Sequence, residues 1–229
     1  MFNGFCKDGI KLLEDISCNN TKEYFLTQYE RYKEVILEPN KAYVEEMGEY
    51  LQILTPTIHA VPKVNHSLFK IYRDCRFHLD EPIKQKIGII IWQGGGHRMQ
   101  SSSFYMHYSS SGYFVASGIR WFKPPLLKAY REYIKDTKHR DLLHEILNSL
   151  KQKGYKIPKQ RYKRFPRGCN SEDSNSYLYL YDAMFAYKEY ELDEVFFTKE
   201  ILEKNFKLYQ DMFELQQWVY ELTNFKNSK

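Results

Sequence analysis

The residues best suited to chemistry in this chain are the charged side chains between positions 70 and 84. Three cations, Lys70, Arg73 and Arg76, flank the carboxylate of Asp74 in the sequence, and Lys84 follows a proline turn. Arginine presents a planar fork of N–H donors that matches the oxygens of a phosphate or a carboxylate. The segment therefore predicts a site for a small anion, in which Asp74 orients an arginine or acts as a base. The alternative is a structural lattice of ion pairs, because such networks also bring opposite charges together.

A β-strand is the element that we expect to carry these side chains. From Leu68 to Phe77 the residues alternate between two faces, and a period of two is typical of a strand. Arg73 falls on the face that is otherwise apolar, so the pattern places it toward the core. A buried guanidinium keeps its proton and needs a carboxylate, carbonyl oxygens or a bound anion. We therefore expect Arg73 to have a counter-charge or a ligand.

A second concentration of positive charge lies between residues 151 and 167, where eight lysine and arginine residues occur without an acidic residue. Arg164 and Arg167 of this run could contribute to the anion site. Alternatively, the whole run could follow nucleic-acid phosphates, with aromatic residues stacking on the bases. These aromatic residues are Tyr155, Tyr162 and Phe165. A solvated basic loop is the remaining interpretation.

The other motifs predict neither a nucleotide loop nor a metal site. Gly94–Gly96 lacks the G-K-[ST] ending of a phosphate-binding loop and leads to a predicted strand, so we expect a flexible turn, which would suit closure over a ligand. The seven histidines include no H-E-x-x-H and the four cysteines no C-x-x-C, so we expect no metal ion and no disulfide framework. Cys169 lies close in sequence to two arginines, which could lower the pKa of its thiol.

Several motifs together resemble one known family. The run 73–77, R-D-C-R-F, followed by Asp80, Pro82 and Lys84, resembles the R-x-x-R-D-x-R-F and D-K-x-P-Y-K motifs of DUF2461, a bacterial and fungal family of unknown function. Three positions depart from these motifs: Lys70, Glu81 and Ile83. Three further segments resemble elements of the same family: Asn20–Phe25, Gly112–Gly118 and Lys163–Gly168. The resemblance extends over nearly the whole chain and implies a DUF2461-like fold, but no activity.

Length and composition are those of an ordinary globular protein. With 229 residues, of which 43% are hydrophobic and 28% charged, the chain can bury a sizeable core. The family resemblance implies that residues 1–229 form a single domain. The net charge of +5 permits acidic partners without demanding them. No window approaches about 20 apolar residues, and no apolar run opens the chain, so we expect no membrane span, no signal peptide and a cytoplasmic location.

The order of the predicted elements indicates an α+β fold. The predicted helices are 7–18, Thr21 to about Leu37 with Asn20 as N-cap, Pro39 to about Leu54, one after Pro124-Pro125, 141–153 ended by Gly154, one around 177–181 capped by Ser171 or Ser174, and one from Thr198. The predicted strands are 68–77, 87–92, 103–108, 113–119 and 184–190. This order favours a mainly antiparallel sheet with helices packed on it, helices at the N-terminus and a long C-terminal helix.

These observations lead to one favoured function and one alternative. The favoured function is binding of a small phosphate- or carboxylate-bearing ligand in an arginine-rich pocket, with Asp74 as the candidate catalytic residue. The candidate ligand-binding residues are Lys70, Arg73, Arg76, Lys84, Arg164 and Arg167. The alternative is a nucleic-acid-binding or protein-interaction module that uses the 151–167 surface. We expect no cofactor and no metal, and the sequence names neither a reaction nor an oligomeric state.

Overall fold

Helical segments form the first part of the chain. The structure is a computed structural model and describes residues 1–74, 76 and 80–227. Its first helices are α1 (Lys7–Cys18), α2 (Lys22–Thr27), α3 (Tyr29–Tyr32), a π-helical stretch (Lys33–Leu37) and α4 (Glu38–Gln52). Pro39 lies in the first turn of α4, which continues directly from the π-helical stretch. The predicted helices 7–18 and from Pro39 are confirmed, whereas the one predicted from Thr21 to Leu37 is divided into shorter pieces.

The beginning of α2 differs from the prediction by one residue. Thr21, not Asn20, is the N-cap, because its hydroxyl accepts a hydrogen bond from the N–H of Tyr24 at 3.1 Å. Asn20 instead pairs with the backbone of Ile83. Its Nδ2 donates to the Ile83 carbonyl at 2.9 Å, and its Oδ1 accepts from the Ile83 N–H at 2.9 Å. The side chain of Asn20 thus makes the two backbone hydrogen bonds that a residue of a neighbouring strand would make.

The sheet has five strands whose spatial order is their order in the sequence. They are β1 (Ile58–His59), β2 (Ile87–Gln93), β3 (Ser103–Ser109), β4 (Gly112–Ile119) and β5 (Met184–Tyr190). Each strand pairs with the next, and the sheet is antiparallel. The predicted strands 87–92, 103–108, 113–119 and 184–190 are confirmed to within one residue at each end. The α+β class with a mainly antiparallel sheet is confirmed as well.

The predicted strand Leu68–Phe77 is wrong as a strand of this sheet. Among its described residues, Leu68 and Tyr72 form isolated β-bridges, to Ile89 and Ile83 respectively. The rest of the described part is irregular, and the predicted positions 75 and 77 lie outside the described residues. The alternation of side chains along this segment therefore does not come from a continuous ladder of hydrogen bonds.

The remaining helices follow β4 and β5. They are α5 (Pro124–Tyr133), α6 (Thr137–Gln152), α7 (Glu200–Asp211) and α8 (Phe213–Asn227), with 3₁₀ turns at Arg98–Gln100, Ser176–Leu180 and Glu194–Phe197. Helix α6 begins four residues before the prediction, because Asp136 caps it by accepting from the N–H of Lys138. The predicted long C-terminal helix is two helices separated at Met212. The predicted helix around 177–181 is a 3₁₀ turn without a side-chain cap from Ser171 or Ser174. Within the described residues, no helix is long and apolar enough to cross a membrane.

Contacts divide the chain into two compact units. Unit 1 comprises residues 1–91, 105–115 and 189–208, and unit 2 comprises residues 92–104, 116–188 and 209–229. In unit 1, the ring of Phe5 lies 4.7–5.2 Å from four other aromatic rings, those of Phe2, Tyr43, Tyr108 and Phe196. In unit 2, the buried Tyr130 packs 5.0 Å from Phe122 and 6.1 Å from Trp218. A single domain over residues 1–229 stays a prediction.

Candidate functional site

Two short antiparallel arms in unit 1 carry five of the predicted site residues. The N–H of Arg73 donates to the carbonyl of Pro82, and the N–H of Lys84 donates to the carbonyl of Ile71, both at 2.8 Å. Asn20 holds the other edge of the second arm through its two hydrogen bonds to Ile83. We call residues 70–74, 76 and 80–84 the charged arms. The 82–84 segment is hydrogen-bonded on both of its edges, to residues 71–73 on one side and to Asn20 on the other. These bonds hold the backbone that carries the side chains of the site.

Arg73 is a half-buried cation with unused donors. Its side chain is 26% exposed, and its Nη2 lies 3.3 Å from Oε2 of Glu81. Its Nε is buried and finds no hydrogen-bond acceptor within the described part of the chain. A buried donor without an acceptor costs about 1–3 kcal/mol, more when it is charged. Glu81 is therefore the counter-charge of Arg73, but it leaves part of the guanidinium unsatisfied.

Asp74 and Arg76 form a two-point ion pair. Oδ1 of Asp74 accepts from the N–H of Arg76 at 3.1 Å and from its Nε at 3.0 Å, and Oδ2 accepts from Nη2 at 2.6 Å. These bonds raise the pKa of the Arg76 guanidinium. Because both carboxylate oxygens accept from the same arginine, this arrangement suits orientation of Arg76 better than removal of a proton from a substrate.

The two lysines of the charged arms differ in how they are held. The Nζ of Lys84 donates to the carbonyl of Lys70 at 2.7 Å and lies 6.0 Å from the ring centroid of Phe69. The side chain of Lys70 is exposed. Between residues 70 and 84 the sequence has four cations and three carboxylates, so the local charge is only slightly positive. Any preference for anions in this segment therefore depends on geometry rather than on net charge.

Arg164 and Arg167 belong to unit 2, whereas the other candidate residues belong to unit 1. Both are exposed on an irregular loop, and neither forms an ion pair within the described residues. The turn at 166–168 is closed by the N–H of Cys169, which donates to the Pro166 carbonyl at 3.2 Å. Gly168, the third residue of this turn, has a φ of +80°, which is typical of a type II turn.

The aromatic side chains of the 151–167 run are not all available for stacking. Tyr155 is buried, with 3% of its surface exposed, and the ring of Tyr162 lies 4.8 Å from the guanidinium carbon of Arg131. Phe165 is exposed. The suggestion that neighbouring arginines lower the pKa of Cys169 is also wrong, because burial raises the pKa of this thiol.

Two cavities were not predicted from the sequence. The larger, of about 450 Å³, lies in unit 1 and is lined by Glu34, Glu38 and Glu45 together with residues of the N-terminus, which does not suit an anion. The smaller, of about 230 Å³, lies in unit 2 and is lined by the glycines 94–96 and by Lys123 and other polar residues. Among the described residues, no group of three or more His, Cys, Asp or Glu side chains is placed to hold a metal ion.

Comparison with known families gives one match. A family model described as "Conserved hypothetical protein (DUF2461)" matches residues 8–218, which include the charged arms and the 151–167 run. No curated protein matches the chain at a significant level. The match confirms the resemblance of the sequence motifs, and its description names no activity.

Proposed function

The chain belongs to the DUF2461 family of conserved hypothetical proteins, and we propose that it binds a small phosphate- or carboxylate-bearing ligand at the charged arms. The observation that carries this proposal is the half-buried guanidinium of Arg73, whose Nε has no acceptor within the described chain. An oxyanion at the Nε–H and Nη2–H edge would replace the single contact with Glu81 by a two-point contact. Since Glu81 is 54% exposed, it can move aside without breaking a packed core.

The neighbouring cations support the same ligand. Asp74 holds the guanidinium of Arg76 in one orientation, and the carbonyl of Lys70 holds the ammonium of Lys84. In this proposal Asp74 positions Arg76, and Arg76 and Lys84 contribute charge around an anion bound to Arg73. Fixed donors lose little conformational freedom when a ligand binds, and this favours affinity.

Titration calorimetry with inorganic phosphate and with citrate tests the proposal. We expect Arg73→Gln to weaken binding roughly 10- to 100-fold, which corresponds to loss of one hydrogen bond to a charged group. Arg73→Lys keeps the charge but loses the fork, so we expect an intermediate affinity. Arg120→Gln removes an exposed arginine elsewhere and serves as the matched control. If folded Arg73→Gln, checked by circular dichroism, binds as tightly as the wild type, the proposal is wrong.

One observation favours nucleic-acid binding as a second candidate function. Five exposed cations between residues 159 and 167 form no ion pair within the described part of the chain: Lys159, Arg161, Lys163, Arg164 and Arg167. If they bind the phosphates of a single strand, the logarithm of the affinity should fall with the logarithm of salt concentration, by about 0.7 per phosphate contact. Fluorescence anisotropy with a labelled oligonucleotide at several salt concentrations measures this slope. An affinity that does not depend on salt would dismiss this candidate.

A further inference from the structure

The 230 Å³ cavity of unit 2 has a lining that is positively charged and free of carboxylates. Lys123 and Lys226 line it together with His97 and the glycines 94–96, and no Asp or Glu is among its described lining residues. Neither lysine forms an ion pair within the described part of the chain. Its volume lies below the roughly 300–1,000 Å³ of sites for drug-sized molecules. The cavity therefore fits a ligand of a few heavy atoms with negative charge.

The peptide groups of the glycines add hydrogen-bond donors. The N–H groups of Gly94, Gly95 and Gly96 form no hydrogen bond within the described residues. Gly94 has a φ of +95°, a conformation that a side chain would strain. Successive N–H groups in turns of this kind form concave sites for anions. The loop therefore combines three unused donors with two ammonium groups at one cavity.

The imidazole of His97 has its acceptor nitrogen occupied. Nδ1 of His97 accepts from the N–H of Met99 at 3.2 Å, so Nδ1 carries no proton. In the neutral ring the proton then lies on Nε2, which makes this nitrogen a donor. In this tautomer, Nε2 offers an anion in the cavity a further donor.

Gln100 fixes Lys123 relative to the glycine loop. Its Nε2 donates to the carbonyl of Trp121 at 2.8 Å, and its Oε1 accepts from the N–H of Lys123 at 2.8 Å. The Oγ of Ser101 donates to the carbonyl of His97 at 3.2 Å, which holds the turn that follows the glycines. The backbone at Lys123 and at the end of the glycine loop is therefore held in place before any ligand arrives, and such preorganisation lowers the entropy lost on binding.

The end of α8 opposes an anion only weakly. Lys226 lies in the last turn of this helix, whose C-terminal end carries a partial charge of about −0.5. Two ammonium groups outweigh this charge, and Lys226 lies in the turn where the partial charge is located. The electrostatic balance at the cavity thus remains in favour of an anion.

Packing does not explain why position 95 is a glycine. A Cβ atom built on Gly95 meets no atom within 4 Å, and its φ lies outside the left-handed region. Neither space nor backbone conformation therefore demands glycine at this position. A ligand that approaches the backbone closely would demand it. From these observations we propose that this cavity is a second anion site, which takes inorganic phosphate or a small phosphate ester and is independent of the charged arms.

Selective ¹⁵N-glycine labelling tests this inference directly, because the chain has only eleven glycines. During titration with inorganic phosphate, we expect saturable shifts of the amide signals of Gly94, Gly95 and Gly96, which are assigned by single Gly→Ala variants. Lys123→Gln and Lys226→Gln should each lower the phosphate affinity obtained from these shifts by roughly tenfold or more. Lys128→Gln, an exposed lysine of α5, is the matched control and should leave them unchanged. Glycine-loop signals that do not move, or an unchanged affinity in Lys123→Gln, would overturn the inference.

Gly95→Ala gives a readout that does not depend on removing charge. The substitution should raise the melting temperature of the ligand-free protein by about 1–4 °C, because alanine restricts the unfolded chain. It should also weaken phosphate binding, because the methyl group blocks the backbone. A variant that is more stable and binds as tightly as the wild type would contradict a backbone contact. In Arg73→Gln the glycine shifts should persist; their loss would show that phosphate acts through the charged arms alone and would overturn the second site.

Discussion

Replacement of Asn20 tests how the charged arms are held in place. Its side chain makes two hydrogen bonds of 2.9 Å to the backbone of Ile83, which is fully buried. Asn20→Ala would leave the N–H and the carbonyl of Ile83 without these partners. A buried polar group without a partner costs about 1–3 kcal/mol. Because Asn20 is itself partly exposed and water can enter, we expect a total loss of about 2–4 kcal/mol in the free energy of unfolding.

Urea unfolding followed by circular dichroism measures this loss, and thermal unfolding should show a decrease of roughly 4–16 °C in melting temperature for a chain of this length. Asn20→Asp is the sharper variant. Asp and Asn are about equally good N-caps, so a capping role predicts no loss of stability. In the structure, however, the second oxygen of the aspartate would face the Ile83 carbonyl and remove a donor. We therefore expect Asn20→Asp to be destabilised as well.

Thr21→Ala completes this comparison. Thr21 is the N-cap of α2, so its replacement should cost about 0.5–2 kcal/mol. Suppose instead that Asn20→Asp and Thr21→Ala are both as stable as the wild type. Asn20 would then be the N-cap of α2, and the reasoning about the charged arms would be refuted. If Asn20→Ala is destabilised and also binds phosphate less well, Asn20 is a positioning residue of the site.

Two further predictions concern ion pairs of unit 1. Hydrogen bonds from Arg31 hold the pKa of Asp8 below its usual value, so this pair stabilises the fold above about pH 4 and loses its effect as pH falls through the lower, folded-state pKa. Arg31→Gln should therefore flatten the acid-side decline in the free energy of unfolding measured in urea, and an unchanged decline would contradict this. Asp74→Asn breaks an exposed ion pair, since Arg76 is 77% exposed, and should change the melting temperature by less than about 3 °C. A collapse of stability would instead support the structural lattice of ion pairs.

The elements that were predicted well are those whose signal is local. Strand β2 is a continuous apolar run, and β3 and β4 flank a serine- and glycine-rich turn, so their own residues specify pairing and burial. Helix α4 was recognised from the proline in its first turn. In each case the pattern and the tertiary environment demand the same structure.

The errors arose where the partner lies far along the chain. Leu68–Phe77 alternates like a strand, but among its described residues Leu68 and Tyr72 form only isolated bridges, to Ile89 and Ile83. The other edge of Ile83 is paired by the side chain of Asn20, 63 residues earlier in the sequence. Asn20 and Thr21 are both good N-caps, so local preference could not decide between them. The same limit applies to function. Lys123 and Lys226 are about 100 residues apart in sequence, and nothing in either neighbourhood indicates that they line one cavity.

The sequential order of the sheet has a consequence for the newly made chain. Two residues separate β3 from β4, but 64 residues separate β4 from its other partner, β5. At a synthesis rate of about 5–20 residues per second, the outer edge of β4 waits roughly 3–13 s before β5 has been made. Such an edge carries unpaired N–H and C=O groups that can pair with another chain. For those seconds, aggregation competes with folding on the ribosome, and the helices and basic loop made in between set the length of the delay.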